Sequence, residues 1–83
     1  MDARKRLENE RKFKNWQTLP DGGRIYFYAL SGHHGWTARY VKEVDADEET
    51  LRFYQEVYDQ TGKLVEVHYK FPYDTGHQRI TGG

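Results

Sequence analysis

Cysteine is absent from the 83 residues, so the chain can carry neither a disulfide framework nor a thiolate metal site. Packing alone must stabilise it. No apolar run approaches the roughly 20 residues that a membrane-spanning helix needs, and the N-terminus lacks the apolar stretch of a secretory leader. The expectation is a soluble, cytoplasmic protein without a membrane partner. Net charge is absent as well, because 13 bases offset 13 acids. The domain is therefore not basic overall, which weighs against a phosphate-binding surface. Aliphatic residues are scarce too: Leu, Ile, Val and Phe together number 16 of 83. The seven Tyr and two Trp make up the deficit, since aromatic rings bury more surface each than aliphatic side chains do. A chain this short forms one domain, residues 1–83, and buries only about 60% of its unfolded surface, so a covering partner or self-association would matter energetically.

Charge is distributed unevenly. Residues 1–16 hold Arg4, Lys5, Arg6, Arg11, Lys12 and Lys14 against three acids, whereas residues 43–59 hold seven acids against Arg52 alone. Docking of the basic arm on the acidic part of its own sheet is the simplest consequence, and steering of a partner is the alternative.

The segment from Met1 to about Trp16 contains good helix formers and neither Gly nor Pro, with Asp2 placed to cap it. Its apolar stripe is poor, and Phe13 and Trp16 are the expected anchors. Residues 1–19 thus read as a charged, helical arm. Pro20-Asp21-Gly22-Gly23 reads as a turn. Four segments with period-2 character follow in 20–72: Arg24–Leu30, Trp36–Val44, Thr50–Tyr58 and Lys63–Phe71. Their short connections force antiparallel neighbours, because a parallel crossover takes a dozen residues or more. The predicted fold is α+β or mainly β: a four-stranded antiparallel β-meander after the N-terminal arm. The tail, 73–83, could add a short fifth strand before a loose Thr81-Gly82-Gly83 end.

A three-residue loop at Gln60-Thr61-Gly62 sets a register in which Val57, Phe53 and Leu51 oppose Val65, Tyr69 and Phe71. Ile25, Phe27, Ala29, Trp36, Ala38, Tyr40 and Val44 extend this as the dry face, with Val67 on the same side. The other face would then carry Tyr26, Tyr28, Arg39, Arg52, Tyr54, Tyr58, His68 and Lys70, together with Thr37, Val41, Glu56 and Glu66. Rings interleaved with bases suit single-stranded RNA, which stacks its bases and pairs its phosphates, but Glu43, Glu56 and Glu66 on that face would repel a phosphate backbone.

No catalytic signature, metal-ligand spacing or phosphate-binding loop is present. The patches with unusual backbone chemistry are Ser31-Gly32-His33-His34-Gly35-Trp36 and Tyr73-Asp74-Thr75-Gly76-His77, which nominate His33, His34, Asp74 and His77 as loop candidates. The expected function is a non-enzymatic interaction module that uses its Tyr/Arg/His-rich sheet face on a protein partner or on itself, with no cofactor. One rival is a single-stranded RNA binder, or a small ribonuclease using His33, His34 or His68 with Arg39 and Tyr54. The other is a divalent-metal function at His77 and the acidic loop Asp45, Asp47, Glu48 and Glu49.

Overall fold

The computed structural model describes residues 1–80, so the expected loose end at 81–83 lies outside the described residues. The fold is mainly β: a helix α1 (Ala3–Phe13) precedes a sheet of six strands in the order β1-β2-β3-β4-β5-β6. The strands are β1 (Asn15–Thr18), β2 (Arg24–Ser31), β3 (Thr37–Val44), β4 (Thr50–Tyr58), β5 (Leu64–Phe71) and β6 (Gln78–Arg79). Every neighbouring pair is antiparallel.

The four expected strands are therefore present, the short C-terminal strand exists as β6, and β1 is an addition within what reads as helical arm. Asp2 caps α1 by accepting from the backbone N–H groups of Arg4 and Lys5, both at 3.1 Å. The helix ends at Lys14, which adopts a left-handed conformation (φ 68°) usually reserved for Gly or Asn. The chain then turns into Trp16-Gln17-Thr18, where β-branched and aromatic character favours an extended backbone. No glycine marks this boundary in the sequence, which is why the helix reads as longer than it is.

The helix docks through one ring and a set of ions. Phe13 is buried, with its ring 5.8 Å from Tyr26, 5.3 Å from Tyr28 and 6.2 Å from Phe53. With Tyr26 and Val44 it forms the core under the helix. Trp16 lies on β1 and is exposed, so only one of the two expected anchors is buried. The basic arm does meet the acidic turn between β3 and β4. Arg6 Nε donates to Glu48 at 2.9 Å, Lys5 Nζ to Glu49 at 2.8 Å, and the N-terminal amine to Asp47 at 3.3 Å. Farther along the helix, Glu10 takes a 2.6 Å hydrogen bond from Arg24, and Asn9 takes one of 2.9 Å from Lys42. Glu48 differs from the others because its carboxylate is fully enclosed and also accepts the Tyr26 hydroxyl at 2.5 Å.

The expected division into faces fails. Pairing places Trp16, Tyr26, Lys42, Phe53 and Phe71 in one cross-strand row, and Tyr28, Tyr40, Gln55 and His68 in the next. Both rows lie under or beside α1. Phe27, predicted to join Phe53 and Ala38 in the dry layer, is instead on the far face opposite Val41, and Val67 is there opposite Glu56. Two causes act together. Ile25-Tyr26-Phe27-Tyr28 offers an apolar residue to either side, so β2 has no phase of its own. In the last hairpin, Gly62 (φ 84°) closes the expected turn, but irregularities at Val65 and Lys70 shift β5 by one residue against β4. A one-residue slip sends each side chain to the other face.

Because Glu48 is enclosed and holds both Arg6 and Tyr26, Glu48→Ala should cost about 2–3 kcal/mol by leaving a buried hydroxyl and a half-buried guanidinium without an acceptor. Glu49→Ala, which removes only an exposed pair, should barely move the transition. Urea denaturation of both variants checks this, and equal losses would contradict the assignment of Glu48 as the helix clamp.

Candidate interaction face

The eight sheet residues expected to share a surface are divided by the observed register. Tyr26, expected on the contact surface, is wholly buried under α1 and has no exposed area with which to touch a partner. Tyr28, His68 and Lys70 lie on the helix side, where Lys70 Nζ sits 5.2 Å over the Tyr40 ring and Tyr28 stacks on Tyr40 at 5.0 Å. Arg39, Arg52, Tyr54 and Tyr58 are on the far face, and those four do come together.

The far face is built in rows. Phe27, Val41, Tyr54 and Tyr69 stand opposite one another across β2, β3, β4 and β5. On one side of this apolar row lie Ile25, Glu43 and Arg52; on the other lie Ala29, Arg39, Glu56 and Val67; beyond them come Thr37, Tyr58 and Leu64. No described element covers these rows, since α1 packs on the opposite side, against Tyr26, Tyr28 and Phe53. Val41 is nevertheless only 2% exposed, between its cross-strand partners Phe27 and Tyr54. The Tyr54 and Tyr69 rings are 5.0 Å apart, and the Arg39 guanidinium lies 5.0 Å over the Phe27 ring.

The charges here are satisfied within the chain. Arg52 Nη2 donates to Glu43 at 2.7 Å, and the Tyr54 hydroxyl donates to the other carboxylate oxygen at 3.0 Å. The Arg52 hydrogen bond holds the Glu43 carboxyl below its usual range against the opposing effect of burial, with Tyr54 assisting. Burial, then Glu43, pushes the Tyr54 phenol up. Burial pushes the Tyr58 phenol up as well, reinforced by Glu56.

Comparison with models of protein families, with curated proteins and with solved structures finds no match.

The loop candidates form a separate group. His33 and His34 occupy a 3-10 turn (His33–Gly35) in which His34 is left-handed (φ 60°), and their rings are 6.3 Å apart. They border a hollow of ≈340 Å³ on the helix side with Trp36, Ala38, Gln55 and Val57. Trp36, expected as core, is half-exposed and donates from Nε1 to Gln60 at 3.0 Å. The tail folds back along β5, which brings His77 to His68, with ring centroids 4.6 Å apart, and within 3.7 Å of Glu66. Asp74 Oδ1 lies 2.6 Å from His68 Nε2. The Asp74 carboxyl is held below its usual range, first by the Gly76 N–H and then by His68.

This arrangement separates His77 from the acidic loop. Asp47, Glu48 and Glu49 are taken up by the arm, and His77 meets Glu66 instead. Among the described residues no group of three potential metal ligands converges. The proposed ribonuclease set does not converge either, because Arg39 and Tyr54 face away from His68. A His68–Asp74 pair acting in proton transfer would need its second nitrogen open, and His68 Nδ1 is buried without a partner. The sequence signal that could have found the tail's position is weak: Gln78 and Arg79 are a two-residue strand.

Tyr26, lifted to about 12, and Tyr54 both ionise less readily in the folded chain than at the ordinary value of 10.0. Their stabilising effect is complete below pH 10 and drains away as pH rises toward 12. Glu43 is the opposite case: its contribution is present above the ordinary carboxylate range and is lost as pH falls through it. Urea midpoints against pH should therefore fall at both ends. Tyr26→Phe should flatten the alkaline decline, and an unchanged alkaline limb would contradict the buried position of that phenol.

Proposed function

We propose that this chain is a non-enzymatic interaction module whose contact surface is the sheet face opposite α1, centred on Phe27, Val41, Tyr54 and Tyr69. One observation carries the reading: an apolar cross-strand row, with Tyr69 at 37% exposure, runs across a face that no described element covers. A single-layer sheet normally buries one face on a core and gives the other to water as alternating polar residues. Here both faces carry aromatics, which is the pattern of a sheet that expects a second layer. Arg39, Arg52, Tyr54 and Tyr58 keep the role expected of them, and Tyr69, Phe27 and Val41 join them.

The ion pattern supports a protein surface over a nucleic acid. Two arginines on this face stand opposite two glutamates, so a polyanion gains nothing by approaching that the glutamates do not take back. Single-stranded RNA added at low ionic strength, where electrostatic association is strongest, should leave the far-face resonances unmoved. The apolar row is tested with the dye 8-anilinonaphthalene sulfonate at dilute protein concentration. Fluorescence should rise several-fold with the native chain and fall back with Phe27→Glu. Absent dye binding, or RNA shifts confined to this face, would overturn the reading.

A further inference from the structure

We infer that the occupant of the far face is a second copy of this chain, packed face to face to form a two-layer β-sandwich; this rests on the proposed contact surface and names its partner. The size of the molecule points to missing cover. The chain exposes 5819 Å². A folded monomer of 9.9 kDa should expose roughly 5,200 Å². The surplus of roughly 600 Å² approaches the 800 Å² or so that one partner contributes to a standard interface. The radius of gyration is 13.9 Å, and the extents are 39 × 23 × 21 Å. A compact chain of this length would have a radius of about 12 Å. A second sheet laid on the far face would supply the absent thickness.

The side-chain pattern points to a copy of the same chain. Around the boundary between β3 and β4, Glu43 and Arg52 form one opposed pair, and Arg39 and Glu56 form another four residues farther along the strands, on the other side of the Val41–Tyr54 row, with the glutamates on one diagonal and the arginines on the other. A two-fold axis parallel to the strands, lying between β3 and β4, exchanges β3 with β4 and β2 with β5. Each Glu43 then faces the partner's Arg52, and each Arg39 faces the partner's Glu56. The same operation seats Tyr54 over the partner's Val41 and Phe27 over the partner's Tyr69, large against small at the centre and ring against ring at the flanks. An axis across the strands would also match the charges, but it would set Val41 on Val41 and Tyr54 on Tyr54, leaving a gap beside a clash. Aligned sheets in sandwiches sit about 10 Å apart with interlocked side chains, which the strand-parallel axis permits.

Sedimentation velocity and light scattering over a series from about 1 µM to about 1 mM protein test the inference. The native chain should pass from single to double mass. Arg52→Glu, which sets carboxylate against carboxylate across the axis, should raise the dissociation constant at least ten-fold, and Tyr69→Glu should do the same. The double variant Glu43→Arg/Arg52→Glu keeps the pair within each chain and the match across this axis, and should return to within about three-fold of native. Far-UV circular dichroism verifies folding of each variant; Tyr69 is exposed enough that its replacement leaves the core intact. A chain that stays at single mass throughout overturns the second copy. In that event the dye experiment still decides whether the face docks another protein. Dimers indifferent to Arg52→Glu and Tyr69→Glu overturn this interface, and a double variant that stays dissociated overturns the axis.

Discussion

A helix of eleven residues is about 16 Å long, and six strands at ordinary spacing span about 24 Å, so one helix can shield only part of one side of this sheet. The rest of the molecule follows from that mismatch. The core cluster sits in the corner where α1 crosses β2 and the β3–β4 turn, with Phe13, Tyr26 and Val44 at its centre, and Val41 is buried apart from it on the far face. Elsewhere the sheet is stabilised by its own ladder and by cross-strand side-chain pairs, each a modest contribution. The far side is left with an apolar row and, among the described residues, no second layer.

Within the covered corner, Glu48 links the elements that a weak apolar stripe leaves loosely joined. It belongs to the turn, accepts from a helix arginine and from a β2 tyrosine, and is itself left-handed (φ 64°). A buried carboxylate with two good donors is specific in a way that a small greasy contact is not, because removing Arg6 leaves its charge without a counter-ion and removing the Tyr26 hydroxyl leaves it with one donor fewer. Asn9 and Lys42 add a second polar contact across the same interface. The arm is thus positioned by ions and hydrogen bonds, and Phe13 supplies most of its apolar burial.

How far this could be read from residues alone depends on what breaks a pattern. Turn chemistry was legible: Asp59, Thr61 and Gly62 close the last hairpin as their types suggest, and Asp2 caps the helix. Strand positions from Arg24 to Phe71 were legible for the same reason, bounded as they are by Gly, Asp and Ser. The side to which each strand presents its residues was not. Alternation specifies a face only when one phase is apolar and the other polar, and in β2 both phases are aromatic or aliphatic. The irregularities at Val65 and Lys70 carry no glycine or proline to announce them, yet they rotate β5 relative to β4. Helix termination at Lys14 was hidden likewise. The candidate site was consequently split, with Tyr54, Arg52, Arg39 and Tyr58 kept together and Tyr26, Tyr28, His68 and Lys70 on the other side.

The two faces treat charge differently, and the difference bears on what each is for. Beside the helix, ions run between elements distant in sequence: Arg6 to Glu48, Arg24 to Glu10, Lys5 to Glu49. Those contacts set the arm in place. On the far face the Glu43–Arg52 pair runs between adjacent strands at directly opposed positions, where the sheet ladder already fixes the geometry. Its contribution to the fold is modest, because the arginine end is half exposed and screened. What it does is hold a carboxylate and a guanidinium at fixed places beside an apolar row, already ordered and so costing little further entropy when a surface of complementary pattern arrives. Fixed charges flanking an apolar centre select a partner by register, whereas mobile ones would only attract it.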